Sequence, residues 1–582
     1  MTQTYSLGTV DYVVFVVFMS LSVGIGFYYW LMEKLSAKRE IPGKDALDKT
    51  DEYLMGSRKM PVFPVALSLL ATFMSGISLL GTPAEVFQRG LLWVLLYYSA
   101  PIAFGISGYF FIPIFYNMRM TSVYEYLEQR FHSRPLRLVS AAAFLVSTLV
   151  YMGVVIYAPS ISLSGVSNVQ VSTLILIIGG TTTLYTTIGG IKAVVWTDTL
   201  QAVVMYVGIG LIIVKGVSAA GGWERTFDIF AQSGRVGTIL RFDPNPAQHL
   251  SVWIALTGGG TLFLSLFGLN QMAVQRYCSL PSIADAQKVA WLTCAMFFVV
   301  GSMACFIGVV CLAYFYNCNP LETGAIGVHD QLVVLLAVQV LSDWPGFSGL
   351  FLACIFAMTL STLSSGFNSV GAVIWTDFIR PSEMGRRLSP DAALRMNKII
   401  VLLTGCASTA FAFAAKPLGG IIKSSLSLLG TLIGPVLGLF FVGVFCRNVS
   451  TTATSISFYL AMLTSLGLWT IGVIEDPYDE YSMPTNSSAE GCAGHSFTLN
   501  CVPSYDAHYG RPSASYLGRI SPYLITFIGL LQCVVLAILL TVAFPPGEER
   551  YSKRRHSLTW RGRERKFEAD IVEAKIHNIR IE

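Results

Sequence analysis

The sequence predicts an all-α polytopic membrane protein with about thirteen transmembrane helices. Three observations carry that reading. Only 13% of the 582 residues are charged, against about 25% in an ordinary soluble domain. Apolar residues make up 53% of the chain, and mean hydropathy is +0.60. The apolar residues fall in long stretches, and a helix needs about 20 of them to cross the hydrocarbon core. A soluble chain of this length would need two or more solvated domains, and there is too little charge to cover them. An ordinary cytosolic enzyme, a nucleic-acid-binding protein and a disordered scaffold are therefore excluded. A net charge of +5 is too small to imply an acidic partner and sits mostly in one tail.

Spans one to three cover 10–30, 60–83 and 91–116. The first has no preceding Lys or Arg and is long enough to span, so it reads as a helix and not as a cleaved leader. Residues 138–191 carry no charge but exceed one crossing; the polar break at 164–168 divides them into spans four and five. Span six begins at Trp196. Spans seven to thirteen cover 251–269, 289–316, 346–375, 399–415, 426–446, 453–474 and 520–544. A shorter apolar run, 332–341, lies in the loop between spans eight and nine. At ten residues it is too short to cross, and either an outer lid helix or an inert surface helix fits it.

Basic residues set the orientation. With the N-terminus outside, 30 of the 39 Lys and Arg lie on the cytoplasmic side and nine outside. The sequon at Asn486 then falls in the outer loop before span thirteen, as glycosylation requires. The sequon at Asn448 falls inside and is discounted. The eleven Cys show no CxxC pair and no metal spacing, so zinc or redox chemistry is not indicated. Most lie in apolar stretches. Cys492 and Cys501 flank the polar outer loop; a disulfide between them is one expectation, and two free thiols the other.

An ion pathway needs oxygen ligands at the midplane, where irregular backbone is tolerated only if buried in protein or lining a cavity. Spans two and nine both show the breakage this requires. In span two, small and hydroxylic residues crowd 70–83, and Gly81 and Pro83 weaken the helix. Unwinding there frees carbonyls for a cation; a tightly packed helix of small residues is the alternative. Span nine carries six hydroxyl or amide side chains within residues 361–369, with Ser361, Ser364 and Ser365 on one face. Hydroxyl oxygens suit a hard cation such as Na⁺. Asp198 opens span six. It is either a helix cap or an intramembrane functional acid. There is no phosphate-binding loop, HExxH or nucleophile elbow. The string Asp48-Lys49-Thr50 has no soluble domain around it to serve an ATP-driven pump. The chain is read as a non-enzyme driven by an ion gradient.

Several separated strings give a resemblance to the sodium/solute symporter family over roughly residues 10–545. They are 73–76 and 81–85 (FMSG, GTPAE), 121–127 (TSVYEYL), 156–159 (IYAP), 193–198 (AVVWTD), 270–277 (NQMAVQRY) and 360–362 (LST). They look like the branch of iodide, monocarboxylate and multivitamin transporters. The resemblance implies a LeuT-like fold, a five-plus-five inverted repeat with peripheral helices. The repeats would be 60–216 (spans two to six) and 251–447 (spans seven to eleven), joined by an extracellular loop at 217–250. Residues 1–59 would hold the outer N-terminus, span one and a cytoplasmic loop. The segment 448–545 would hold spans twelve and thirteen with an extracellular loop at 475–519, and 546–582 a basic cytoplasmic tail.

The resemblance also implies site residues. Its principal sodium site maps onto the carbonyls of Ala71, Met74 and Met358 and the hydroxyls of Ser361 and Thr362. A second sodium site maps onto Asp198, Ser364 and Ser365. Substrate contacts map onto Ser75, Ser78 and Tyr151, with Phe73 nearby. At Ser78 the iodide and sugar carriers resemble one another in having glutamine, and this chain departs with a small hydroxyl. The expectation is a plasma-membrane symporter of a small organic anion, with Na⁺ as coupling ion, no other cofactor and no nucleic-acid partner. Two sodium ions per anion would make transport electrogenic. An iodide or uncharged-solute symporter, or a non-transporting sensor or leak channel on the same fold, are the alternatives.

Overall fold

The computed structural model describes residues 3–4, 7–37, 52–167, 169–414, 421–475, 483, 488, 491–492, 497–498 and 514–546. Among them, eleven helices are long and apolar enough to cross a membrane, and the bent pair Val62–Phe73 and Gly76–Arg89 supplies a twelfth crossing. The thirteenth comes from Val171–Ala219, which has 49 residues. At about 1.5 Å per residue such a helix is more than twice the thickness of the hydrocarbon core. It is interrupted at Gly190, with φ 58° and ψ −166°. A Cβ there would lie 2.7 Å from the Tyr53 ring, so both the backbone angle and the close approach require glycine. The Tyr53 hydroxyl donates to the Thr187 carbonyl at 3.2 Å and closes the end of span five. Span six therefore starts at Ile191, one turn earlier than the sequence suggested. Asp198 lies well inside it and is fully buried, so it is no N-terminal cap.

The interruptions differ from expectation in one respect. Span two breaks, but span nine does not: Phe347–Val373 is a continuous helix that ends in a π turn, Ile374–Ile379. Some of its hydroxyls bond back to their own helix, as Thr359 does to Ile355 O (2.8 Å) and Ser364 to Ser361 O (3.1 Å), while Ser365 and Ser369 reach neighbouring helices, and none of this requires unwinding. The second interruption falls in span seven. Val252–Leu269 contains two π turns, Ala255–Gly259 and Ser265–Leu269. The chain then turns extended at Asn270 (φ −66°, ψ 134°) and resumes as Gln271–Tyr277. Spans two and seven are thus both discontinuous, which is tolerated at membrane depth where the backbone is buried in protein or lines a cavity.

Span one is docked by a carboxylate. Asp11 is buried, and its Oδ1 accepts from the Gly346 and Gly349 amides, each at 3.0 Å. These amides open span nine, where no helical partner exists for them. The run 332–341 forms the helix Leu332–Leu341, and seven consecutive residues from Leu332 to Val338 are buried. It is a packed interior element, so the inert surface helix is ruled out.

The disulfide is not the one expected. Cys492 bonds to Cys318, 174 positions away, with a Cα separation of 4.9 Å. Cys501 and Asn486 lie outside the described residues. Flanking the same loop suggested Cys501 as partner, but the loop after span eight folds against the loop before span thirteen and delivers Cys318. The short parallel pairing of Gln3–Thr4 with Phe497–Thr498 ties the N-terminal segment to that same loop.

Removing either Cys318 or Cys492 by substitution with Ser should lower stability by about 2–4 kcal/mol. Non-reducing peptide mapping should recover a Cys318–Cys492 peptide; a Cys492–Cys501 peptide would overturn this pairing.

Candidate substrate and cation site

The site is built on the break in span two. The last helical bond of its first half runs from Met74 N–H to Leu70 O at 2.9 Å. Met74 (φ −90°, ψ 82°) and Ser75 (φ −82°, ψ 165°) then leave helical geometry, and the two halves meet at 57°. The second half restarts with Ser78 N–H donating to Ser75 O at 2.9 Å. Carbonyls 71–73 consequently lose the donors four residues on that a continuous helix would supply. Thr362 answers one of them, donating to Thr72 O at 2.9 Å while also lying 3.0 Å from Met358 O. Span nine comes this close because residue 76 is glycine: a Cβ there would sit 2.5 Å from Thr359 Oγ1. Ser361 Oγ is buried beside this contact and has no hydrogen-bond partner. The broken ends around Ala71 and Met74 and the Met358–Thr362 turn are therefore opposed across one helix contact.

Asp198 stands next to this contact in a buried ionic network. Its Oδ2 accepts from Ser68 Oγ (2.6 Å) and from Arg276 Nη2 (3.1 Å). Arg276 also donates to Ser365 Oγ (2.5 Å), Ser68 Oγ (2.9 Å) and the Met272 carbonyl (2.8 Å). Thr72 Oγ1 lies 2.9 Å from Ser365 Oγ and links the network to the break. Arg276 is only 2% exposed and Asp198 is fully buried, so each charge depends on the other. Asp198 Oδ1 has no hydrogen-bond partner, and the Ser361 hydroxyl stands beside that carboxylate outside bonding geometry. Asp198 and Ser365 thus share one guanidinium, while Ser364 bonds to its own helix at Ser361 O.

A cavity of about 890 Å³, partly open to solvent, lies against the other side of the break. Phe73, Ser75, Ser78 and Tyr151 all line it, so the four expected substrate contacts come together. Tyr151 donates to Ser75 Oγ at 3.3 Å, and Phe73 packs edge-on against Phe267 at 4.8 Å. Trp93, Tyr97, Phe263, Phe297 and Tyr523 form an aromatic wall, with Trp93 and Tyr523 5.3 Å apart. The helix Leu332–Leu341 contributes no lining residue, so a lid over this cavity is not what it forms.

The family model described as "Sodium:solute symporter family" matches residues 53–456. The chain belongs to that family. Sodium-coupled monocarboxylate transporter 2 of Bos taurus is 32% identical over 532 residues, covering 91% of this chain and 83% of that one. The sodium-dependent multivitamin transporter of Oryctolagus cuniculus is 35% identical, covering 83% and 75%. The sodium/iodide cotransporter of Homo sapiens is 32% identical, covering 84% and 74%. The fold matches a substrate-bound, outward-open Na⁺-coupled sialic acid symporter at a TM-score of 0.74 and 20% identity, covering 93% of this chain and 99% of that one. A nucleobase-cation-symport-1 family transporter in a closed conformation matches at 0.51 and 12%, covering 87% and 97%. The architecture is the LeuT-like inverted repeat. As a sodium:solute symporter the protein is a multi-pass transporter and not an enzyme, with Na⁺ as coupling ion and a solute as its second partner.

Sequence reasoning gave this symporter no role for Arg276, Ser68, Thr72, Asn270, Thr148 or Tyr523. Arg276 carried a usable signal. An intramembrane acid calls for a nearby partner, and a basic residue close after an apolar span is a candidate for it, though that need alone does not say which one. Tyr523 carried none, since its place in the cavity wall depends on the turn before span thirteen folding inward. Asp198→Asn or Arg276→Met alone should cost about 3–5 kcal/mol by stranding a buried charge. The double substitution should recover a good part of that loss in thermal unfolding of the solubilised protein; simple additivity would mean the two side chains do not depend on each other.

Proposed function

We propose that this symporter carries a small organic anion, a monocarboxylate or vitamin-like carboxylate, into the cell by alternating access. One observation carries the reading: none of the described residues lining the cavity is Asp, Glu, Lys, Arg or His. A few hydroxyls and one amide face a lining that is otherwise aromatic and aliphatic. A sugar presents hydroxyls on every side, and each would need a buried partner. Iodide has no organic body to meet the apolar walls. An anion with one polar head and an apolar body fits both parts, with Na⁺ supplying the missing positive charge. The names of the monocarboxylate and multivitamin relatives support the same class.

Sodium would sit at the break, on the carbonyls of Ala71, Met74 and Met358 and the hydroxyls of Ser361 and Thr362. The unmatched Ser361 oxygen and the carbonyls freed around Met74 support this choice. A second sodium would lie at Asp198, Ser364 and Ser365. In the conformation described, the Arg276 guanidinium holds that carboxylate, so the second ion enters only as Arg276 withdraws. Two Na⁺ with one monovalent anion carry one net charge. Each charge gains about 2.3 kcal/mol from 100 mV, and a tenfold gradient adds about 1.4 kcal/mol per sodium. We place the repeats at 60–216 and 251–447 and the protein in the plasma membrane, N-terminus outside and C-terminus inside. The Cys318–Cys492 bond supports that orientation, because both its ends lie in loops assigned to the oxidising exterior. Asn486, in the same loop as Cys492, would carry the glycan.

In voltage-clamped cells, a small monocarboxylate should evoke an inward current that disappears when choline replaces Na⁺, while glucose evokes none. A current with glucose or iodide alone would overturn the substrate class. Ser361→Ala or Thr362→Val should raise half-saturating Na⁺ about tenfold, the equivalent of about 1.4 kcal/mol. Asp198→Ala should abolish net charge movement per anion taken up; an unchanged charge-to-uptake ratio would remove the second sodium.

A further inference from the structure

We propose that the Asn270 side-chain amide, with the Thr148 hydroxyl as second donor, grips the carboxylate of the substrate. The proposal rests on the organic-anion reading above and names the groups that select for it. Four of the polar side chains lining the cavity satisfy one another. Ser75 accepts from Tyr151, and Thr82 Oγ1 lies 2.8 Å from the Tyr97 hydroxyl. Asn270 differs. It occupies the break in span seven, 4% exposed, and lines the cavity. Its Oδ1 accepts from the Met272 amide at 2.9 Å. That bond decides which way round the side chain sits, because a backbone N–H can be met only by the amide oxygen. The nitrogen is left buried with no partner. It offers two N–H donors and no acceptor, which is the complement of a carboxylate.

Thr148 supplies the second donor from span four. Elsewhere in these helices threonine hydroxyls bond to the carbonyl four residues back, as Thr182 and Thr183 do in span five. Thr148 does not: its Oγ1 is buried, lines the cavity and has no partner. Trp93 Nε1 is unmet too, but it stands in the aromatic wall against Tyr523. A carboxylate oxygen strengthens such bonds, because charge-assisted hydrogen bonds are shorter and stronger than neutral ones. Spans four and seven belong to different halves of the sequence. An anion held between Asn270 and Thr148 therefore bridges them, beside the sodium-binding break in span two.

The test starts with radiolabelled uptake by the full-length protein in cells, using a monocarboxylate that the wild type transports. Absence of uptake for any carboxylate would defeat the organic-anion reading itself. Given uptake, Asn270→Asp keeps the acceptor for Met272 N–H but turns the donor into a negative group, and KM should rise at least tenfold or uptake should vanish. Asn270→Ser keeps a capping oxygen and withdraws the amide, and Thr148→Val removes the hydroxyl at constant shape. Both should raise KM by threefold or more, with maximal rate per surface-labelled protein and half-saturating Na⁺ little changed. Wild-type KM in Asn270→Ser and Thr148→Val would overturn the proposal. If the variants fail to reach the surface, the wild type decides it. The primary amide of the substrate brings N–H groups to the Asn270 nitrogen and should compete at least tenfold more weakly than the acid; equal competition would overturn the assignment.

Discussion

Inside a membrane, backbone groups released from a helix must find partners within the protein, because no water reaches them. The break at Met74–Ser75 makes that demand, and the surrounding helices are arranged to meet it. Thr362 takes up the Thr72 carbonyl, Gly76 lets span nine approach closely enough to do so, and a buried Ser361 oxygen stands unmatched beside it. A small hard cation is the natural occupant of freed carbonyls and hydroxyls. On the proposed sodium site, coupling follows from the same feature that divides span two into two helices.

The molecule keeps its charge and its cargo apart. Asp198 and Arg276 neutralise each other in a network with Ser68, Ser365 and Met272 O. The cavity a few residues away has no ionisable acid or base on its described lining. Neutral donors in a largely apolar cavity suit the organic anion proposed above, since a low dielectric strengthens each hydrogen bond. They lack the strong fixed charge that would trap it. A symporter must release its substrate on the far side, so a site that is incomplete without sodium suits that cycle.

Away from the site, the structure spends its polar side chains on anchoring. Asp11 holds span one against the first turn of span nine. Tyr53 closes span five at the Gly190 turn. Arg137 on span four pairs with Asp377 in the π turn of span nine and with Glu128. The Cys318–Cys492 bond joins two loops at the opposite end. Span nine takes part in several of these contacts, which gives the hydroxyl face at 361–365 a firm support.

By itself the sequence determined the number and placement of the spans, because crossing length and hydropathy are local properties of each segment. It also offered span two as a broken helix, from its hydroxylic residues with Gly81 and Pro83, although the break falls earlier, at Met74–Ser75. Motif strings named the candidate sodium-site residues by resemblance. Other features were settled only by tertiary structure. Span nine reads as hydroxyl-rich and breakable, yet stays helical over Phe347–Val373, its hydroxyls shared between its own turns and neighbouring helices. Span seven reads as an ordinary apolar helix, yet opens at Asn270, where the side chain caps the next segment. The partner of Cys492 proved to be Cys318, because spatial neighbours across 174 positions leave no mark in local pattern. The choice of Arg276 as the partner of Asp198 likewise required the packed helices. Pairing depends on which helices touch and at what height, and that information appears only once all the spans are packed.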